Sequence, residues 1–212
     1  FRVLANASGI KTNWVPMKNY HYDLEGLASQ INDKTKIIYL ANPDNPTGTY
    51  FNKAAFDNFM NLVPNRVLVI LDEAYFEYAQ HLDDFPDSMI YRYDNVITLR
   101  TFSKAYGLAG LRVGYGFGHK ELIDSLMKVK LPFEPSSPGQ LAAFASLDDS
   151  QFLSDTIKNN ALGMKKLLNS LKDYTVIPSV ANFITIVFEN NNESNNFTSF
   201  MLSNGIIVRN LK

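Results

Sequence analysis

With 212 residues, 46% of them hydrophobic and 19% charged, the chain can bury one sizeable core and part of a second. A formal charge of −1 gives no electrostatic footprint for nucleic acid or anionic lipid, and the absence of cysteine excludes disulfides, thiolate metal sites and a cysteine nucleophile. Apolar runs end at about five residues, far short of a membrane span, and no charged-then-apolar leader opens the sequence, so a soluble cytoplasmic protein is expected. Both ends lack the polar taper of a natural terminus, and an internal piece of a longer protein is expected.

Residues 1–4 end a helix or begin a loop, and residues 11–18 are extended in character. Asp23 fits an N-cap for a helix over 24–31, with Glu25 in its first turn. Residues 36–41 are β-branched and apolar, as in a buried strand. The strand runs into Asn42-Pro43-Asp44-Asn45-Pro46-Thr47-Gly48, where two prolines, two asparagines and a glycine force a rigid loop. Open α/β sheets bind ligands in the loops after strand carboxyl ends. A plain turn with Asn45 bonding its local backbone accounts for the loop equally well. A helix over 53–63 follows, with Phe56, Phe59, Met60 and Val63 on one face.

The apolar run 67–71 is typical of a strand buried on both faces, and it ends in Asp72-Glu73-Ala74-Tyr75. A carboxylate in that place is costly to bury without a partner. A protonated ring nitrogen would supply one, and so would the N–H groups of a helix start. Tyr75 brings a phenol to the same neighbourhood. A loop rich in acid and proline over 83–87 precedes a short helix at 89–93.

The strand over 96–100 then delivers the stretch from Thr101 to Arg112, in which Lys104 stands beside hydroxyl residues and is followed by glycines and an arginine. A neutral lysine amine attacks an aldehyde and holds it as a Schiff base. Hydroxyls, backbone N–H groups and a planar guanidinium suit a phosphate. Pyridoxal 5′-phosphate (PLP) needs both anchors, although a strand-to-helix loop with a solvated lysine would explain the stretch taken alone. The glycine alternation over 113–118 suits an edge strand or tight packing. Helices are expected over 120–129, from Ser136 or Ser137 to about 147, and over 150–171. Strands follow at 174–177 and 183–188, then an asparagine-rich surface loop at 190–196, a helix at 197–203 and a strand at 206–208. His21, His81 and His119 show no ligand spacing, and no metal site is expected.

Asn45-Pro46-Thr47-Gly48, Asp72-x-x-Tyr75, and Ser103-Lys104 with Arg112 form an ordered series. The series resembles the fold-type I PLP-dependent aminotransferases of class I/II, through essentially the whole chain. The wording ANPDNPTG, LDEAYFEY and TFSKAYGLAGLRVGY is most similar to the histidinol-phosphate aminotransferase branch. The resemblance implies a three-layer α/β large domain with a mostly parallel sheet over 1–135, its N-terminal part missing, and a partial α+β small domain over 136–212. It implies that Lys104 binds PLP covalently and shuttles a proton, that Asp72 pairs with the pyridine nitrogen, and that Asn45 and Tyr75 bond the phenolic oxygen. Thr101, Ser103 and Arg112 would hold the phosphate, and Asn182 and Arg209 would lie near the substrate.

The implied reaction passes an amino group between an amino acid and a 2-oxo acid in a cytoplasmic homodimer. For the histidinol-phosphate branch, L-histidinol phosphate and 2-oxoglutarate give imidazole-acetol phosphate and L-glutamate. An aromatic or other class I/II aminotransferase, a threonine-phosphate decarboxylase and a catalytically incomplete PLP-binding fragment share these motifs. Other parts of the family's site fall outside these residues: a glycine-containing helix start at the phosphate, an aromatic over the ring, a tyrosine from the partner subunit and an arginine for the substrate carboxylate.

Overall fold

A computed structural model describes residues 2–90 and 93–211. Helices α1 (Arg2–Ala7) and α2 (Leu24–Ser29) precede strand β1 (Ile37–Ala41), helix α3 (Lys53–Met60) and strand β2 (Leu68–Asp72). A short helix α4 (Phe76–Ala79) leads to strands β3 (Val96–Thr101) and β4 (Gly114–Gly118). Then come helices α5 (Lys120–Met127), α6 (Ser137–Asp148) and α7 (Ser150–Ser170), strands β5 (Thr175–Ile177) and β6 (Thr185–Val187), and helix α8 (Asn191–Ser203). The helix starts follow local chemistry: the side chains of Asp23, Asn52, Ser136 and Asp149 each accept an N–H from the first turn they precede.

The main sheet runs β1-β2-β3-β4, with the first three strands parallel and β4 antiparallel at one edge. The registers Ala41↔Asp72 and Asp72↔Leu99 put the ends of β1 and β2 level, with β3 running two residues further to Thr101. Alternation decides which side chains are buried. Ile38, Leu40, Val69 and Leu71 face α2 and α3 and pack with Phe56, Phe59 and Met60. The opposite face carries Ile37 and Leu99, both exposed, and half-buried Leu68 and Ile70. The 67–71 run is therefore fully buried on one face only, because the helices of this core all lie on that side. Close packing explains the glycines of β4, since a Cβ on Gly114 would stand 2.8 Å from the Arg100 carbonyl oxygen.

Three local expectations change. The asparagine-rich 190–196 is the cap and first turns of α8, with Asn190 accepting the Glu193 N–H at 3.0 Å. Asparagine is a weak helix former, but Phe197 packs 5.2 Å from Phe188 and 5.7 Å from Tyr174, and this aromatic cluster fixes the helix. Residues 206–208 form no strand, as the small sheet holds only β5 and β6 and Ile207 is exposed. Residues 88–90 form a turn, and Tyr91 and Arg92, within the helix expected at 89–93, lie outside the described residues.

Behind the strand ends sits a buried ion cluster. Arg100 Nη2 lies 2.7 Å from Glu73 Oε2 and 2.9 Å from Asp87 Oδ1, and Ser88 Oγ donates to Glu73 Oε1 at 2.5 Å. The Arg100 guanidinium stacks 3.3 Å from the Phe76 ring centroid, a cation–π contact that closes the cluster. Glu77 in α4 is also buried, and its Oε2 has no hydrogen-bond partner. Burial, reinforced by the Glu73 charge, pushes the Glu77 carboxyl from 4.5 up to about 7. Between those pH values the folded chain keeps a proton that the unfolded chain has lost, so Glu77 makes stability fall as pH rises through that window. Glu77→Gln, which cannot ionise, should match the wild type near pH 5 and be more stable at pH 8 by up to about 3 kcal/mol. Denaturant unfolding at the two pH values measures this, and an equal effect of the substitution at both would refute it.

Candidate functional site

The site opens at the carboxyl ends of β1 and β2. The loop leaving β1 is locked by its own side chains. Asn42 accepts the Phe51 N–H at 3.0 Å and donates to the Phe51 carbonyl at 3.1 Å. Buried Asp44 accepts from Thr47 Oγ1 at 2.8 Å and from the Thr47 N–H at 3.2 Å. Gly48 supplies a backbone with φ +74°, where a Cβ would collide with Ser179. This frame holds Asn45, whose Nδ2 reaches across to donate to the Tyr75 hydroxyl at 2.8 Å. The described side-chain bond of Asn45 thus goes to Tyr75 and not to the local backbone.

Asp72 ends β2, and Tyr75 caps α4 three residues later. The Asp72 carboxylate accepts the Ala74 N–H on Oδ1 at 3.0 Å and the Tyr39 O–H on Oδ2 at 2.5 Å. Among the described residues no cation pairs with it. Asp72, Asn45 and Tyr75 line one cleft of about 280 Å³ together with Tyr22, Tyr39 and Asp44, a space at the lower end of the small-molecule range. Burial raises the Tyr22 and Tyr39 phenols well above their ordinary range, with the neighbouring acids adding to it, so both stay protonated.

Lys104 is exposed at the edge of this cleft, its Nζ 5.3 Å from the Tyr75 ring centroid. It follows β3 by three residues, in a tight turn where Thr101 Oγ1 accepts the Ser103 N–H at 3.1 Å. Arg112 stands at the end of a single 3-10 turn in left-handed backbone (φ 53°), exposed, with Nη1 donating to the Ala109 carbonyl at 3.0 Å. Phe102 and Val113 pack with Ala143 of α6, which brings the two ends of the 101–112 stretch together. Asn182 is exposed, and its amide donates to the Tyr78 hydroxyl at 3.5 Å. Arg209 is exposed in the coil after α8, and no described contact ties it to the cleft.

The structure therefore puts Asn45, Asp72 and Tyr75 in one cleft with Lys104 next to Tyr75, whereas the described contacts of Thr101, Ser103 and Arg112 are local to their own turn, Asn182 meets Tyr78, and Arg209 stands apart. Sequence reasoning missed Tyr22 and Tyr39. The available signal for Tyr39 was its place in the strand, on the face it shares with Ala41, which lies level with Asp72.

The donor set fits PLP. The unpaired Asp72 carboxylate suits a protonated ring nitrogen, the Asn45–Tyr75 pair suits a phenolic oxygen, and the Lys104 amine suits an aldehyde. Among the described residues no group of three His, Asp or Glu side chains could hold a metal, and no helix is long and apolar enough to cross a membrane.

The family model for aminotransferases of class I and II matches residues 1–212. Histidinol-phosphate aminotransferase 2 of Carboxydothermus hydrogenoformans is 42% identical over 92% of this chain and 54% of its own length. The histidinol-phosphate aminotransferase of a Geobacillus species is 41% identical over 99% of this chain and 58% of its own. Among solved structures, the histidinol-phosphate aminotransferase of Sinorhizobium meliloti, in complex with pyridoxal-5′-phosphate, matches with a TM-score of 0.92 at 31% identity, over 99% of this chain and 58% of that one. The chain thus spans a little over half the length of the relatives it matches. With the family model covering all of it and the site built at the strand ends of the same fold, the chain belongs to the class I and II aminotransferases.

Proposed function

We propose that the chain carries the cofactor-binding core of a PLP-dependent histidinol-phosphate aminotransferase. The reaction is transfer of the amino group from L-histidinol phosphate to 2-oxoglutarate, giving imidazole-acetol phosphate and L-glutamate. The observation that carries the reading is that Asp72, Asn45 and Tyr75 line one cleft with the Lys104 amine 5.3 Å from the Tyr75 ring centroid, and that among the described residues no cation pairs with the carboxylate. Relatives bearing that name at 41–42% identity favour it over the aromatic and decarboxylase alternatives. We place the protein in the cytoplasm as a homodimer on family resemblance, with residues 1–135 in a large domain and 136–212 in a small one.

PLP, when bound, supplies an electrophilic aldehyde and a ring that takes up the electron pair released at the substrate Cα. Lys104 would hold it through Nζ, and its amine is the group that would move the proton at the substrate Cα, as a general base and then a general acid. Asp72 would hold a proton on the ring nitrogen by a charge-assisted hydrogen bond, keeping the ring electron-poor. The Tyr75 hydroxyl and the Asn45 amide orient the ring through its phenolic oxygen. Thr101 and Ser103 would offer hydroxyls to its phosphate, and Arg112 a planar fork of N–H groups. Asn182, which donates to the Tyr78 hydroxyl, would lie toward the substrate, whereas no described contact supports the same role for Arg209.

In the full-length protein supplied with PLP, L-histidinol phosphate and 2-oxoglutarate should yield glutamate, and Lys104→Ala should lower kcat by at least about 10³-fold. Faster turnover of phenylalanine or tyrosine, or carbon dioxide release from threonine phosphate, would replace this substrate assignment with one of the alternatives.

A further inference from the structure

Tyr39 lies in the middle of β1, a strand otherwise apolar, and its phenol donates to a carboxylate. It is level with Ile70 of β2, two residues before Asp72, so Tyr39, Ile70 and Asp72 lie on one face of the sheet. From there the hydroxyl donates to Asp72 Oδ2 at 2.5 Å. Oδ1 is already fixed by the Ala74 N–H at 3.0 Å. A backbone group holds one carboxylate oxygen and a side chain holds the other, which stops rotation of the carboxylate about its last bond. Each oxygen keeps a second lone pair for a ligand in the cleft that all three residues line. Burial and the adjacent carboxylate hold the Tyr39 phenol far above its ordinary range, so it keeps the proton that it donates to Asp72. Tyr22 does different work next door: its hydroxyl accepts the Ala41 N–H at 3.2 Å and so anchors the end of β1.

We infer that Tyr39 is a positioning residue for Asp72, its O–H on Oδ2 fixing the carboxylate in the orientation in which it meets a ring N–H. The inference rests on the PLP reading above, since Asp72 must receive the cofactor for its orientation to matter. A carboxylate free to rotate would spend part of its time turned from the ring nitrogen, and its Oδ2 would lose a hydrogen bond in a half-buried place.

The test is a double-mutant cycle on PLP affinity in the full-length protein, with Tyr39→Phe, Asp72→Asn and both together. Phenylalanine keeps the ring and removes only the donor, and unfolding of the cofactor-free proteins confirms that each variant folds. Tyr39→Phe should weaken PLP binding about 5- to 10-fold in the wild-type background and less than 2-fold in the Asp72→Asn background, because the amide gives the phenol no charged acceptor to orient. Equal losses in both backgrounds, or no loss in the wild type, would overturn the role of Tyr39 while leaving the PLP reading intact. No loss on Asp72→Asn would overturn the PLP reading and the inference with it.

Discussion

Ala41, Asp72 and Leu99 stand level on three adjacent parallel strands, the first two at their strand ends, and the site depends on that register. Strand alternation then places Tyr39 on the face of Asp72, and the Asp44–Thr47 frame fixes Asn45 opposite Tyr75. A slip of one residue in β1 would turn Tyr39 to the α2–α3 core and Leu40 to the cleft. The hydrophobic pattern forbids it, since Leu40, Val69 and Leu71 have no solvent exposure at all. Burial of those three side chains, worth roughly 1.5–3 kcal/mol each, is what aims the polar ends of the strands. Core and chemistry thus share one constraint.

A second constraint comes from the far end of the chain. The connection between β5 and β6 lies on the loop that holds Asn45: the Val180 N–H donates to the Gly48 carbonyl at 2.9 Å, and the Thr185 hydroxyl donates to the Pro46 carbonyl. Phe183 meets the Tyr75 ring edge-on at 5.2 Å, and Ala181 is buried with Tyr75 and Tyr78. Asn45 and Tyr75 are therefore gripped from both sides, by the strand ends beneath and by the β5–β6 connection above. Rigid support of this kind keeps two neutral donors at one point in space, as orientation of a ring oxygen demands.

Much of this was legible in the residues. The strands over 36–41, 67–71 and 96–100 stand within a residue of their observed limits because short β-branched runs between turn residues admit little else. Asn45, Asp72, Tyr75 and Lys104 declared themselves by type and order, as polar groups with specific chemistry at strand ends. The rest depended on contacts between distant segments. Tyr39 looks like one more strand residue until the parallel register sets it beside Asp72. The Arg100–Glu73 pair hides in a strand and a turn whose side chains meet only after folding. The helix over the asparagine run and the absence of a strand at 206–208 were settled by Phe188, Phe197 and Tyr174 and by what the small sheet offers as a partner.

The central claim is that Lys104 and Asp72 belong to one PLP site. It is tested most directly by adding PLP to the purified protein, reducing with borohydride and mapping the modified peptide by mass. The account predicts one pyridoxyl group, on Lys104, that disappears in Lys104→Ala without reappearing on another lysine. Modification scattered over surface lysines, or none at all, would contradict it.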